Sequence, residues 1–146
     1  MRNNLMKRII AGVFTLLALF STSTVFAGPD HPSLKGVWTV KSEGGIILWG
    51  EKPGKTTHWE EKQTSLTAEL DIVAQNGRVL SGVFKSDKAT ERFIGVIGHD
   101  NVSLHFADAD GAFDGKIIDS DTIEVLYRHV TPKDTVVAVG LWRRKK

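Results

Sequence analysis

The chain has 146 residues and a formal net charge of +2 at pH 7. It contains no cysteine, which excludes disulfides, cysteine-based catalysis, thiolate metal sites and the cysteine-linked anchor of a lipoprotein. It also lacks the basic stripe that a nucleic-acid-binding face requires, so we expect a globular protein with no nucleic-acid partner.

The N-terminal segment has a basic start, followed by an apolar run without charge. This run, from Ile9 to Phe20, is shorter than a membrane span, which needs about 20 residues. The segment Val25-Phe26-Ala27 that follows offers small residues at the positions that a signal peptidase recognises. The pattern predicts a cleaved signal peptide over residues 1–27. Its removal leaves 16 basic and 17 acidic residues, a net charge of −1. We therefore expect one mature domain, residues 28–146, that is periplasmic or secreted and has no transmembrane segment.

From Leu34 onward, short runs of alternating apolar and polar residues are separated by turn-forming residues. This period of two predicts β-strands. The nine candidate strands are Leu34–Lys41, Ile46–Trp49, Thr64–Ala74, Arg78–Lys85, Arg92–Ile97, Val102–Ala107, Gly115–Ile118, Thr122–His129 and Thr135–Arg143, with Gly44-Gly45 as the first turn. Because closure removes exposed strand edges, the sequential hairpins favour an all-β fold, a small antiparallel up-and-down barrel of about eight strands.

The hairpin after the third candidate strand has two possible registers. A two-residue turn at Asn76-Gly77 would pair Ile72 with the polar Ser81, whereas a three-residue loop, 75–77, would pair Ile72 with Leu80. Residues that face each other across a ladder lie on the same side of the sheet. We therefore predict the three-residue loop, which keeps apolar residues together.

The one long loop in this pattern is Gly50–Lys62. Long loops in compact domains are often functional. Trp49 precedes the loop and Trp59 lies inside it, and exposed Trp side chains favour ligand sites, so we predict that both bind ligand. Replacement of an exposed Trp59 by Ala would cost less than about 1 kcal/mol of stability. The alternative is that both rings pack across the barrel mouth. Tyr127, on the apolar face of its strand, is the third ligand-binding candidate.

The two ends of the predicted domain carry a Gly-x-Trp and a Trp-Arg-Arg sequence. The first candidate strand contains Gly36-Val37-Trp38, and the last strand region contains Trp142-Arg143-Arg144. This combination resembles the lipocalin and avidin group of small barrels. The resemblance implies that Trp38 packs across the closed end and that Gly36 lets the chain approach closely beside the ring. It also implies that Arg143 or Arg144 covers the ring, and of these two we predict Arg143. Trp142 is expected to have a structural role.

None of the polar clusters in the sequence predicts a catalytic or metal site. No two histidines have the tight spacing of a metal motif, and His105 falls on the polar, exposed face of its strand. The segment Asp108–Gly115 begins like a calcium loop but lacks its later acidic ligands, which favours a hairpin turn. Glu124 and Tyr127 point to opposite sides of one strand, which separates a possible acid from a possible base. We therefore predict no catalytic residue, no metal and no cofactor.

These features favour a non-enzymatic binding protein. In the first hypothesis, the barrel takes a small, mostly apolar ligand, with Trp49 and Trp59 near its mouth. In the second, a protein-binding module, such as an inhibitor of an exported enzyme, acts through the arm Gly28–Ser33 or the loop Gly50–Lys62. The Leu-x-Gly-x-Trp opening also resembles small periplasmic barrels that inhibit secreted metalloproteases. An enzyme with its site inside the barrel is the third hypothesis.

Overall fold

A computed structural model describes residues 31–49 and 56–146. The predicted signal peptide, residues 1–27, and residues 50–55 of the long loop lie outside these ranges. The described residues form eight strands: β1 (Gly36–Leu48), β2 (Ser65–Asn76), β3 (Val79–Lys85), β4 (Thr90–Ile97), β5 (Ser103–Ala107), β6 (Ala112–Asp119), β7 (Thr122–Val130) and β8 (Asp134–Arg144). Within these ranges, no helix has the length and apolar character needed to cross a membrane.

The eight strands form one closed antiparallel barrel in which neighbours in sequence are neighbours in space. β1 and β8 close the sheet, with a register that runs from Trp38 opposite Arg144 to Leu48 opposite Asp134. This arrangement confirms the predicted all-β, up-and-down barrel. Because closure pairs every strand on both sides, a binding site must lie inside the barrel, on its outer face or in the connections between strands.

The first two candidate strands are a single strand. The turn predicted at Gly44-Gly45 is wrong, because both glycines lie within β1, opposite Ala138 and Val137 of β8. A Cβ atom on Gly44 would collide with Ala138 and with the carbonyl oxygen of Val137. The glycine therefore permits a close approach between β1 and β8, which is a known use of glycine inside strands.

The predicted register of the β2–β3 hairpin is also wrong. Ile72 pairs with Gly82 rather than with Leu80, and the turn consists of the two residues Gly77-Arg78, which is neither the loop 75–77 nor the turn Asn76-Gly77 considered above. A bulge at Val73 shifts the ladder beside Ile72. Without this bulge, the two-residue turn would pair Ile72 with Val83, whose side chain faces outward. The bulge thus keeps Ile72 and Leu80 together on the buried inner face, by a different route from the longer loop.

The barrel interior is filled by inward-facing side chains from all eight strands. Its buried residues include Trp38, Val40, Leu70, Ile72, Leu80, Phe84, Phe93, Leu104, Phe106, Phe113, Ile123, Val125, Val136 and Trp142. In the middle, Trp142 contacts Phe106 and Phe113, with ring centroids 5.3 and 6.1 Å apart. We call the end with the connections after β2, β4 and β6 the closed end. The end with the connections after β1, β3, β5 and β7 is the loop end.

Candidate functional site

Trp38 caps the closed end of the barrel. Its side chain is fully buried, and its Nε1–H donates a hydrogen bond of 3.0 Å to the carbonyl oxygen of Leu34. The guanidinium of Arg144 lies over the indole ring, with Cζ 4.2 Å from the ring centroid. Arg144 also donates to three backbone carbonyl oxygens. These contacts make the closed end a rigid structural cap.

The residue over Trp38 is Arg144 rather than Arg143. Because side chains alternate along a strand, Arg143 lies on the outer face of β8, where it is exposed and donates to Oγ1 of Thr122 at 2.7 Å. Gly36 begins β1 with a φ of +120° and lies beside the Arg144 guanidinium. A side chain at this position would strain the backbone just where the cap forms.

At the loop end, the last part of the connection between β1 and β2 folds into the barrel. Residues 56–63, which we call the plug, place Trp59 in the lumen with 2% of its surface exposed. The N–H of Thr56 donates to the carbonyl oxygen of Trp59, and the N–H of Trp59 donates to Oγ1 of Thr56, both at 2.9 Å. The predicted exposure of Trp59 is therefore wrong. The alternative, that this ring packs across the mouth, is the arrangement observed.

His58 is the second buried side chain of the plug. Its Nε2 lies 3.0 Å from Oε2 of Glu91 on β4, and its Nδ1 lies 2.9 Å from Oγ of Ser86. The Ser86 oxygen also accepts two backbone N–H groups of its own turn, so its hydroxyl proton is left to donate to Nδ1. In this arrangement His58 accepts at Nδ1 and donates its Nε2–H to the Glu91 carboxylate.

Further polar contacts hold the plug against neighbouring connections. Oγ1 of Thr57 donates to Oδ2 of Asp110, in the connection after β5. Nζ of Lys88, in the connection after β3, donates to Oε1 of Gln63 at 3.0 Å. The plug lies outside the eight strands. The strand pairing that closes the barrel therefore does not include the plug.

A small cavity of about 20 Å³ lies beside Trp59 in the lumen. This volume is roughly enough for one water molecule, so the plug fills the loop end almost completely. Besides Trp59, the cavity is lined by the rings of Phe84, Phe113, Tyr127 and Trp142. Asp108, whose Oδ1 accepts two backbone N–H groups of its own turn, is part of the same lining.

Carboxyl groups crowd the loop end. Burial raises the pKa of Glu91, and the carboxylates of Asp110 and Asp108 raise it further, while His58 acts in the opposite direction. Burial also raises the pKa of Tyr127, with smaller contributions from the same aspartates. Additional negative charge is thus unfavourable at this end of the barrel.

A second buried histidine lies at the rim of the mouth. His129 is 4% exposed, and its Nε2 lies 2.5 Å from Oδ1 of Asp134, which also accepts from Oγ1 of Thr131. These two hydrogen bonds, that of Thr131 first, lower the pKa of Asp134. Nδ1 of His129 is buried and has no hydrogen-bond partner in the part of the chain that the structure describes. With Thr57 and Asp110, His129 lines a depression in the mouth.

Two of the three predicted ligand-binding residues meet at this site. Trp59 and Tyr127 both line the cavity, whereas Trp49 lies 59% exposed after β1, where its Nε1–H donates to Oγ1 of Thr135 at 3.4 Å. No sequence pattern predicts the contact between His58 and Glu91. These residues are 33 positions apart, and only closure of the barrel brings them together.

Three smaller expectations from the sequence are confirmed. His105 lies on the outer face of β5, with 59% of its side chain exposed. In the turn after β5, Oδ1 of Asp108 accepts two backbone N–H groups, as in an ordinary hairpin turn. On β7, Tyr127 faces inward and Glu124 is exposed on the outer face.

Replacement of Glu91 by Gln is expected to raise the melting temperature by a few degrees near neutral pH. Because the pKa of Glu91 is raised in the folded protein, wild type loses stability as the pH rises from the ordinary value of 4.5 through the folded value. Gln is neutral and can still accept the Nε2–H of His58, so the variant escapes this loss. Melting curves across this pH range should show the gain near neutral pH and its disappearance in acid.

The matched control for this prediction is Glu124→Gln, on the exposed outer face of β7. This change removes the same charge without touching the loop end, so we expect no such pH-dependent gain. A lower melting temperature of Glu91→Gln near neutral pH would mean that the ionised Glu91 stabilises the plug, contrary to the burial argument.

Comparisons with known proteins indicate a fold but no family. No protein-family model matches the chain, and no curated protein matches it. The solved structure of a redesigned β-barrel is similar to this one, with a TM-score of 0.50 and 8% sequence identity. The match covers 77% of this chain and 92% of that chain. At this identity the similarity shows the fold alone, an eight-stranded antiparallel barrel.

Proposed function

We propose that the chain is an exported, non-enzymatic binding protein that takes a small, mostly apolar ligand in the loop end of its barrel. One observation carries the proposal: the ring that occupies the lumen at this end, Trp59, comes from a connection and not from a strand. The interior of an eight-stranded barrel is filled by side chains or holds one small ligand. Here the strand side chains leave room for an indole ring, which the plug supplies.

The surroundings of that ring suit an apolar guest. The rings of Phe113 and Tyr127 lie 4.7 Å apart, and Phe84 lies 6.1 Å from Phe113, all at the lining of the cavity. A ligand of about the size of indole would be enclosed by these rings, as ligands are in other pockets. Because the remaining cavity is only about 20 Å³, the ligand and Trp59 exclude each other.

The resemblance of the chain ends to lipocalins and avidins supports the same proposal. Barrels of that group hold one small ligand, and their other end is closed by a Trp with an Arg over it. Trp38 and Arg144 have this relation, and the proposed site lies at the opposite end. The predicted signal peptide supports a periplasmic or secreted location. N-terminal sequencing of the mature protein should find Gly28 first, and recovery of Met1 would contradict export.

A reversible lock on the plug tests the proposed site. Thr57 of the plug contacts Asp110 across the mouth, and the chain has no cysteine of its own. Thr57→Cys/Asp110→Cys therefore allows one disulfide to fix the plug in place. With the neutral fluorophore 2-naphthol as probe, whose two fused rings are close to indole in size, we expect wild type and the reduced double variant to bind it. The oxidised variant should lose at least about tenfold in affinity.

The reduced double variant is the control, because it differs from the oxidised one only in the disulfide. Equal binding by the two forms would contradict an interior site, and wild type that binds no apolar probe would contradict the ligand function. Native mass spectrometry of protein purified from its own host then reports the natural ligand. We expect a small molecule that dissociates when the protein is denatured.

A second candidate function is a protein-binding module, such as an inhibitor of an exported enzyme. An apolar column on the outer face of β8 favours it: Val137, Val139 and Leu141 are 53%, 53% and 40% exposed. Exposed apolar patches are typical of protein interfaces. Capture from a periplasmic extract distinguishes the two functions. A stoichiometric enzyme partner would favour the second function if it binds the oxidised lock variant, in which the plug is fixed, and does not bind Val139→Lys, in which the outer face of β8 is altered.

A further inference from the structure

We infer that the ligand of the loop end is an arylalkylamine, a flat aromatic body joined through an alkyl chain to a protonated nitrogen. This inference rests on the proposed function and names its ligand class. It starts from the plug, which fills the site with His58 and Trp59 side by side. These residues present an N–H donor and an indole ring. A ligand that replaces them must satisfy the same partners.

The first of these partners is the Glu91 carboxylate. It accepts the Nε2–H of His58 at 3.0 Å, and only 14% of the Glu91 side chain is exposed. When the plug leaves, this carboxylate loses its donor, and a buried charge without a partner is far more costly than an unpaired neutral group. A protonated amine supplies an N–H donor and the opposite charge together.

The neighbouring charges favour the same ligand. Asp108 and Asp110 lie close enough to the Glu91 carboxyl group to raise its pKa. Of the basic side chains at this end, Lys88 bonds to the plug itself and Arg128 pairs with a carboxylate on the outer face, while Lys133 lines the mouth together with Asp110. The departure of His58 removes the N–H donor that pairs with the Glu91 carboxylate. A positively charged ligand nitrogen can take its place.

The walls of the lumen favour a cation as well as an apolar body. The faces of aromatic rings carry partial negative charge and attract cations within about 6 Å of the ring centre. Four strand-borne rings, those of Phe84, Phe113, Tyr127 and Trp142, line the cavity. A neutral guest gains only burial among these rings. A protonated arylalkylamine gains burial and the attraction between its nitrogen and the ring faces.

An independent observation comes from His129 at the rim. Its Nδ1 is buried without a hydrogen-bond partner among the described residues, and its ring lines the same mouth as Asp110. When the neutral ring donates Nε2–H to Asp134, Nδ1 carries a lone pair and accepts. Buried polar atoms are nearly always paired. An N–H donor that reached this atom would satisfy it, whereas a hydrocarbon cannot.

Tryptamine and tryptophol form a matched pair of probes. They share the same indole and ethyl body and differ only in a terminal ammonium or hydroxyl group. Titration calorimetry on the full mature protein should give an affinity for tryptamine at least about tenfold higher. We expect this preference to fall in Glu91→Gln and to persist in Glu124→Gln. Added salt should weaken the binding of tryptamine and leave that of tryptophol unchanged.

The outcomes separate this inference from the proposed function. Equal affinities for both probes would overturn the amine inference and leave an apolar ligand site in place. A tryptamine preference that survives both Glu91→Gln and Asp108→Asn would overturn the assignment of the carboxyl groups. If neither probe binds wild type, the inference fails, and the disulfide lock with the neutral fluorophore decides the proposed function separately.

Discussion

Replacement of Trp38 by Ala is expected to lower the free energy of unfolding by about 3–5 kcal/mol, as for other buried Trp side chains. The indole is fully buried and hydrogen-bonded to Leu34, and Arg144 lies over its face. Its removal leaves a cavity at the closed end and a guanidinium without its aromatic partner. Urea denaturation followed by circular dichroism measures the loss.

Trp49→Ala is the matched control for this change. Trp49 is 59% exposed, so removal of the same ring should cost less than about 1 kcal/mol. A denaturation midpoint of Trp38→Ala equal to that of wild type would contradict the role of Trp38 as the cap. Equal midpoints for the Trp38 and Trp49 variants would do the same.

Trp59→Ala is expected to cost about 3 kcal/mol, at the lower end of the range for a buried Trp. Its ring is 2% exposed, so the change empties the lumen beside Phe113 and Tyr127. The plug lies outside the strands and can partly resettle, which reduces the cost. The same denaturation measurement checks this value, with Trp49→Ala as reference.

A loss below about 1 kcal/mol for Trp59→Ala would contradict the buried position of this ring and agree instead with the exposed loop expected from the sequence. Trp59→Phe separates packing from polarity, because it keeps an aromatic ring and removes the indole N–H. We expect it to restore most of the lost stability. A Phe variant as unstable as the Ala variant would mean that the lumen is specific for an indole.

Most of the fold could be predicted because its signal is local. Inward and outward residues alternate along each strand, and turn residues separate the strands, so the barrel follows from short windows of sequence. The errors arose where a local signal had two meanings. Gly44-Gly45 is a turn-forming pair, but it serves the contact between β1 and β8. In the β2–β3 hairpin, a bulge at Val73, rather than a longer turn, keeps the apolar residues on the inner face.

The candidate site could be predicted only in part, because its contacts join distant connections. The aromatic character of Trp59 and the inward face of Tyr127 are visible in the sequence. The burial of Trp59 is not, since the polar residues around it give no apolar periodicity. The pairing of His58 with Glu91 depends on the fold of the plug into a closed barrel, and no spacing motif records such a contact.

In the function that we propose, the ligand and the plug compete for the same lumen. Fluorine NMR of protein labelled with 5-fluorotryptophan tests it most directly, because the chain has four tryptophans and Trp59→Phe assigns the resonance of Trp59. On addition of tryptamine, we predict that the Trp59 resonance moves to the position of a solvent-exposed indole while that of Trp38 stays unchanged. A Trp59 resonance that does not shift at saturating tryptamine would contradict the claim.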